Sequence, residues 1–178
     1  MKSLRKTELI LGGARSGKSA FAERLARSAS GRRCYVATAQ PFDDEMRQRI
    51  AAHVDRRGED WTTIEEPIDL AKIVGSFNSG DVVLIDCLTL WLTNILLADL
   101  DTDAAGEDLV RALSASRAHL ICVSNETGMG LVPENFLGRR FRDAQGTLNQ
   151  RIAAVSDTVV FVAAGLPLVL KGSIEGRA

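Results

Sequence analysis

The chain has 178 residues, a formal net charge of −1 and 46% hydrophobic residues. This length and composition are typical of one domain with a sizeable core, which we expect to span residues 1–171. A near-neutral charge excludes a strong positive field for binding nucleic acid, and no apolar run reaches the about 20 residues needed to cross a bilayer. We therefore expect neither nucleic acid nor a membrane as a partner.

The cysteines and the two chain ends predict where the protein works and where its domain stops. Cys34, Cys87 and Cys122 each stand alone in an apolar run, which predicts buried thiols in a reducing, cytoplasmic compartment. The basic residues before position 7 are not followed by the long apolar segment of a signal peptide. Residues 174–177 read Ile-Glu-Gly-Arg, the recognition sequence of a protease used to remove tags, so residues 172–178 are predicted to be a cloning remnant.

The first predicted elements are a short strand over residues 9–11 and a helix over 19–27, joined by a glycine-rich loop. The loop reads Gly12, Gly13, Ala14, Arg15, Ser16, Gly17, Lys18 and Ser19. Gly, four residues and Gly-Lys-Ser between a strand and a helix is the pattern of a phosphate-binding loop. We expect Lys18 to reach the β- and γ-phosphates of a nucleoside triphosphate and Ser19 to bind Mg²⁺. The alternative is a glycine-rich turn without a ligand.

The next predicted elements are a strand over residues 34–38 and a helix over 43–57 that carries His53. Residues four apart stack on one helix face, so His53 lies in a polar stripe with Arg49 and Arg57, beside an apolar stripe. Flanking arginines disfavour the protonated imidazole, which leaves a neutral nucleophile. Spacing alone favours a half-buried structural histidine instead. His119, the other histidine, opens an apolar strand and is interpreted as structural.

Further along, an apolar strand over residues 82–86 ends in Asp86. In phosphate-loop proteins such an aspartate holds Mg²⁺, and it can also cap the helix predicted over 88–97. The remaining predicted helices cover 68–77, 109–115 and 135–155, and the remaining strands cover 120–124 and 158–162. Residues 98–107 are predicted to be an exposed loop, and residues 161–163 and 166–170 a hairpin around Gly165. Strands that alternate with helices predict an α/β fold with a doubly wound, mostly parallel sheet and a C-terminal β-hairpin.

Several segments together resemble a known family. They are the loop 12–19, Tyr-Val-Ala-Thr-Ala at 35–39, Asp-Asp-Glu-Met at 43–46, Arg49-Ile50 with His53, the segment 125–135, Arg142-Asp143 and Asn149-Gln150-Arg151. In this order they are similar to the bifunctional adenosylcobinamide kinase/adenosylcobinamide-phosphate guanylyltransferase family of cobalamin biosynthesis. The resemblance covers residues 9–171 and implies a P-loop NTPase fold of the RecA-like type.

The resemblance implies two reactions and a set of site residues. ATP or GTP would phosphorylate adenosylcobinamide, and GMP from GTP would then pass through a guanylylated histidine, His53, to adenosylcobinamide phosphate. Nucleotide contacts carry over to the loop Gly12 to Ser19 and to Ala37, Thr38, Ala39, Val54, Asp55, Arg56, Arg57, Glu65 and Asp86. The family is a homotrimer, which nothing in the composition shows.

Some points stay open at the level of the sequence. No Asn-Lys-x-Asp element is present, so the recognition of guanine cannot be read from it. The segment 125–135 is either a substrate-facing or subunit-contact loop or an ordinary loop before a helix. A kinase without a covalent intermediate, and a RecA-like ATPase or nucleotide-switched module acting on nucleic acid or a partner protein, are the rival functions.

Overall fold

A computed structural model describes residues 5–40 and 60–174. In these ranges seven strands form one sheet and five helices of six or more residues pack on it. The strands are β1 (Lys6–Gly12), β2 (Arg32–Ala37), β3 (Trp61–Glu65), β4 (Asp81–Asp86), β5 (His119–Asn125), β6 (Thr158–Ala163) and β7 (Leu166–Lys171). The helices are α1 (Lys18–Ser28), α2 (Leu70–Gly75), α3 (Leu88–Leu97), α4 (Thr102–Ala115) and α5 (Phe136–Val155).

The sheet has the strand order β3-β2-β4-β5-β1-β6-β7. All neighbours are parallel except β6 and β7, which form the predicted antiparallel hairpin. The prediction of a doubly wound, mostly parallel sheet with a C-terminal hairpin is confirmed. The loop that follows β1 opens at the carboxyl edge of the sheet, where ligands of such folds bind. Since β1 is an interior strand, the loop lies away from the two ends of that edge.

The two faces of the sheet carry two separate cores. On β1, Leu9 packs into the core beneath α2, α3, α4 and α5, whereas Ile10 packs into the core beneath α1, and both are fully buried. Successive strand residues point to opposite faces, so strands covered on both sides become continuous apolar runs. This is why five of the strands were recognisable in the sequence as short uninterrupted apolar stretches.

The prediction of an exposed loop over residues 98–107 is wrong, because α4 begins at Thr102. Asp101 caps this helix, with its carboxylate accepting hydrogen bonds from the backbone N–H groups of Asp103 and Ala104. Gly106 is buried where α4 meets α5, and a Cβ there would lie 3.5 Å from Leu148. The acidic residues thus lie on the solvent face of a capped amphipathic helix. Because they are numerous, the short apolar stripe of the helix was not recognised in the sequence.

The structure also differs from the predictions at one strand, β3, and at the N-cap of α3. Strand β3 was not predicted, because on this edge strand only Trp61 is buried and the next two residues, Thr62 and Thr63, are exposed. The residue before α3 is Cys87, so Asp86 is the last residue of β4 and does not cap the helix. The predicted helix over residues 43–57 lies outside the described residues.

The end of the described chain packs on the sheet. Thr158 donates a hydrogen bond to the carbonyl of Ser173, and Ile174 contacts the core beneath α1. No helix in the part of the chain that the structure describes is both long and apolar enough to cross a membrane.

Candidate nucleotide-binding site

The predicted phosphate-binding loop connects β1 to α1 and folds back on itself. Gly17 stands at the N-cap of α1 with φ of 93°, a left-handed conformation that side chains rarely adopt. The Ser16 N–H donates to the carbonyl of Gly13 at 3.3 Å, and the ammonium of Lys18 donates to the same oxygen at 3.1 Å. The amino end of an 11-residue helix therefore faces the loop, with a half-buried lysine beside it.

The loop leaves open space and an unsatisfied hydroxyl. A Cβ built on Gly13 meets no atom within 4 Å, whereas a Cβ on Gly12 would lie 2.5 Å from the carbonyl oxygen of Val162. The Ser16 Oγ is buried and has no hydrogen-bond partner among the described residues. Gly12 is thus required by close packing of strands, and Gly13 borders space that a ligand can occupy.

The turn of the C-terminal hairpin supports the loop from the other side. The Gly165 N–H donates to the carbonyl of Ser16 at 2.8 Å, and a Cβ on Gly17 would lie 3.1 Å from the Gly165 Cα. Sequence reasoning missed this contact, since nearly 150 residues separate its two partners. It holds the glycine-rich loop against β6 and β7.

Asp86 lies at the carboxyl edge on the same side of the sheet as α1. It pairs in register with Ala37 on β2 and Val123 on β5. Val82 and Leu84 pack into the core beneath α1, so strand alternation places the half-buried Asp86 on that face. Its carboxylate therefore lies at the edge where the phosphate-binding loop opens.

Thr38 holds the segment that follows Asp86. Its buried hydroxyl donates to the carbonyl of Cys87 at 2.7 Å and accepts from the Cys87 N–H at 2.9 Å. Burial, with the nearby charge of Asp86, raises the pKa of the Cys87 thiol to about 11, while the positive charge of Lys18 acts in the opposite direction. The raised pKa keeps this thiol protonated. The loop after β1 and the end of β4 lie at the same edge of the sheet, so Lys18 and Asp86 share that edge.

Asn125 ends β5 beside the loop and was not predicted as a site residue. It pairs in register with Gly12, and the next residue, Glu126, donates its N–H to the Gly12 carbonyl at 3.1 Å. The signal in the sequence was a polar residue at the end of an apolar strand, but only the strand order places that end between β4 and β1.

The other predicted site residues are distributed as follows. Ala37 is buried at the end of β2, Ala39 is half-buried just beyond it, and Glu65 is exposed at the end of β3, so all three lie at the carboxyl edge. His53, Val54, Asp55, Arg56 and Arg57 lie outside the described residues. The structure therefore brings together the loop, Thr38 and Asp86, and the role of His53 stays a prediction.

A second concave surface lies away from these residues. It is a cavity of about 800 Å³ between the start of α4 and the first half of α5, lined by Asp99, Asp101, Asp103, Phe136, Arg139 and Arg140 among others. No predicted site residue lines it.

Comparisons with known proteins match nearly the whole chain. Residues 8–170 match the family model described as cobinamide kinase / cobinamide phosphate guanyltransferase. The bifunctional adenosylcobalamin biosynthesis protein CobP of Pseudomonas aeruginosa is 50% identical over 168 residues, which are 93% of this chain and 97% of the relative. The protein CobU of Escherichia coli K12, which has the same description, is 38% identical over 179 residues, covering 92% and 98%.

Solved structures support the fold alone. A prototypical ATPase from a type III secretion system superposes with a TM-score of 0.54 at 11% identity, covering 93% of this chain and 57% of that one. The ATPase EscN of enteropathogenic E. coli superposes with a TM-score of 0.54 at 10% identity, covering 92% and 47%. The prediction of a P-loop NTPase fold is confirmed.

Proposed function

This chain belongs to the cobinamide kinase/cobinamide phosphate guanyltransferase family, and from that membership we propose how its own residues carry the two reactions. ATP or GTP phosphorylates the aminopropanol hydroxyl of adenosylcobinamide. GMP from GTP is then transferred to adenosylcobinamide phosphate, which gives adenosylcobinamide-GDP and pyrophosphate. The observation that carries the proposal is the phosphate-binding loop, which is open at Gly13, has the Lys18 ammonium on the Gly13 carbonyl, and shares its edge of the sheet with Asp86.

In the kinase step, the loop binds the phosphates of the nucleotide. The ammonium of Lys18 exchanges its bond to the Gly13 carbonyl for phosphate oxygens, and the N–H groups at the start of α1 bind the same anion. The acceptor hydroxyl oxygen forms a bond to the γ-phosphorus, and the bond from that phosphorus to the β–γ bridging oxygen breaks. The nucleoside diphosphate leaves, and the hydroxyl proton passes to water.

The residues around the loop fit a magnesium ion that is shared with the nucleotide. Ser19 and Asp86 supply hydroxyl and carboxylate oxygens, the hard donors that Mg²⁺ prefers. No group of three His, Cys, Asp or Glu side chains suited to a metal occurs within residues 5–40 and 60–174. In nucleotide sites, Mg²⁺ usually has one or two protein ligands, and phosphate oxygens and water complete its coordination. When bound, the ion neutralises charge on the phosphates.

In the guanylyl transfer, His53 is the nucleophile. Its imidazole nitrogen forms a bond to the α-phosphorus of GTP, the bond from that phosphorus to the α–β bridging oxygen breaks, and pyrophosphate leaves. A phosphate oxygen of adenosylcobinamide phosphate then bonds to the same phosphorus and releases the imidazole. Lys18 and the loop can stabilise the charge of the leaving pyrophosphate, so the same loop can support attack at the α-phosphorus or at the γ-phosphorus. The likeness of its motif to that of the family supports this role of His53. On the same ground we propose further nucleotide contacts, which are Ala37, Thr38, Ala39, Val54, Asp55, Arg56, Arg57 and Glu65.

The chain provides a matched control for the role of His53, because it has two histidines. Incubation with α-labelled GTP is expected to leave an acid-labile, base-stable label on the wild-type protein and none on His53→Ala. His119→Gln should keep the label, because the His119 imidazole contacts Glu8 at 2.9 Å at the opposite, amino edge of the sheet. No label on the wild type, or equal label on His53→Ala, would refute the covalent step.

Product analysis tests the whole proposal. With adenosylcobinamide, ATP and GTP, we expect adenosylcobinamide phosphate first and adenosylcobinamide-GDP after it. Omitting GTP while keeping ATP should stop the reaction at the phosphate. Formation of the phosphate alone in the presence of GTP would leave only the kinase.

We also propose a homotrimer, and the exposed side chains of β7 support self-association. Leu166, Leu168 and Leu170 are 72%, 60% and 57% exposed on this edge strand. Apolar residues along an unpaired strand edge mark an interaction surface. Sedimentation is expected to give three times the chain mass, and replacing Leu166 and Leu168 together by serine should lower it. A monomer at micromolar concentration would refute this.

A cytoplasmic location is proposed on the three buried, unpaired cysteines, which suit a reducing compartment. Fractionation of the producing cells checks it, and recovery outside the cytoplasm would refute it.

A further inference from the structure

The end of β5 occupies a particular place in the sheet. β5 lies between β4, which carries Asp86, and β1, which leads into the phosphate-binding loop. It continues two residues beyond the partner of Asp86, which is Val123, and reaches the partner of Gly12, which is Asn125. Val123 packs beneath α1, so alternation places the Asn125 side chain on the side of the sheet that faces α1.

The backbone of Asn125 is held by side chains from two different helices. Its N–H donates to the Thr89 hydroxyl on α3 at 2.7 Å, and its carbonyl accepts from the Asn149 amide on α5 at 3.0 Å. Asn149 is held in turn by the Ser124 hydroxyl at 2.7 Å and by the fully buried Gln145 at 3.0 Å. This network fixes the position of Asn125 without using its side chain.

The side chain of Asn125 is left with an unsatisfied polar atom. Its Oδ1 is buried and has no hydrogen-bond partner among the described residues. The same is true of the Ser16 Oγ in the loop that Gly12 joins to β1. Three other buried side-chain atoms of the described residues lack a partner as well, namely Trp61 Nε1, Thr127 Oγ1 and Gln145 Oε1. Ser16 and Asn125 differ from Trp61 and Gln145 in lying next to Gly12, one in the loop that follows it and one paired with it across the sheet, so their unsatisfied atoms are placed to meet a polar ligand of the loop.

We infer that Asn125 contacts the terminal phosphate of the bound nucleoside triphosphate. Its amide Nδ2 donates to a γ-phosphate oxygen, and its Oδ1 accepts from the hydroxyl that attacks the phosphorus. The inference rests on the proposed function in one respect, that the loop binds a triphosphate. Lys18 and Asp86 both act at the β- and γ-phosphates in phosphate-loop proteins, and Asn125 lies between the strands that lead to them. A neutral amide can donate there without adding negative charge next to an anion.

The test compares GTP with GDP, because GDP lacks the contacted group. Binding of each nucleotide is measured by titration calorimetry in one magnesium buffer, for the wild type, Asn125→Ala and Asn125→Asp. Losing a hydrogen bond to a charged group should weaken GTP binding about tenfold or more, with GDP binding unchanged within about twofold. Asn125→Asp keeps the shape of the side chain, and its carboxylate should weaken GTP binding further by repelling the terminal phosphate.

Ser156→Ala is the matched control. It removes a buried hydroxyl that donates to the Ile152 carbonyl at 2.8 Å at the end of α5, outside the network that holds Asn125. This change should lower the melting temperature and leave the ratio of GTP to GDP affinity within about twofold of the wild type.

Three results decide the matter. Equal losses for GTP and GDP in both Asn125 variants, or a Ser156→Ala ratio that changes as much as theirs, would overturn the inference while the proposed function stands. A wild type that binds neither nucleotide would overturn the proposed function itself. A selective loss of GTP affinity in Asn125→Asp alone, should Asn125→Ala not fold, would still support the contact.

Discussion

Replacing Gly12 and Gly13 separately by alanine tests whether two adjacent glycines serve different purposes. At Gly12 the added Cβ would lie 2.5 Å from the Val162 carbonyl oxygen and 2.5 Å from the Ser16 Oγ. This is roughly 0.8 Å short of the closest ordinary approach of carbon to oxygen, about 3.3 Å. The Ser16 side chain can rotate away, but the Val162 oxygen belongs to the backbone of β6, which pairs with β1. The strand or the loop must therefore move.

The size of the effect follows from the cost of overpacking. Inserting a methyl group into a packed region typically costs about 1–3 kcal/mol, and each kcal/mol lowers the melting temperature of a chain of this size by about 2–4 °C. Gly12→Ala is thus expected to melt about 2–12 °C below the wild type. Displacement of the loop should also weaken GTP binding.

Gly13→Ala is expected to behave differently. Its Cβ meets no protein atom within 4 Å, and its backbone is not in the left-handed region, so the melting temperature should stay within about 2 °C of the wild type. The methyl group enters the space proposed for phosphate, so GTP affinity should fall about tenfold or more, as when a hydrogen bond to a charged group is lost.

The assays are thermal unfolding without nucleotide and titration calorimetry with GTP. Wild-type stability in Gly12→Ala would refute the reading of Gly12 as a packing residue. A full affinity for GTP in Gly13→Ala would show that the open space beside Gly13 is not the phosphate cradle.

Three further predictions concern other parts of the molecule. Burial alone would raise the pKa of Glu8, but hydrogen bonds and charge from His119 and Lys6 hold it below its ordinary value near 4.5. This carboxylate therefore stabilises the fold above that value and loses its effect as the pH falls through its lower folded pKa. The melting temperature of Glu8→Gln should accordingly be lower than that of the wild type at pH 7, with the gap closing as the pH falls below 4.5; a constant gap would contradict this. Asp86→Asn should weaken both transferase activities and raise the Mg²⁺ concentration each requires, and unchanged activity at ordinary Mg²⁺ would contradict the metal site. Gly146→Ala, in the interior of α5 with no atom within 4 Å of the new Cβ, should gain about 0.5–1 kcal/mol and melt roughly 1–4 °C higher with unchanged GTP affinity, and a lower melting temperature would contradict the open environment.

The accuracy of the sequence-based predictions depended on how local the signal was. Strands covered on both faces, such as β4, are continuous apolar runs and were found within two residues at each end, except β1, whose first three residues were missed. Helix α5 was found within one residue, because Asn135 caps it through the Gly138 N–H and a long amphipathic pattern follows. Strand β3 and the first turns of α4 were missed because they are largely exposed, and exposed residues carry little periodicity.

The phosphate-binding loop was determined by the sequence itself. Its residues are contiguous, and part of its conformation is local, in the bond from the Ser16 N–H to the Gly13 carbonyl and in the left-handed Gly17. The same is true of the family motifs, which are ordered along the chain. A contiguous motif of this kind can be recognised in the sequence without knowing the fold.

Only the tertiary structure decided what surrounds the loop. The strand order places Asn125 between the strands of Gly12 and Asp86, and it brings the turn at Gly165 onto Ser16. The pairing of Asn125 with Gly12 and the bond from Gly165 to Ser16 join residues more than 100 positions apart, and a sequence pattern contains no record of which strand ends become neighbours. They follow from how the two cores pack on the faces of one sheet, which is a property of the whole chain.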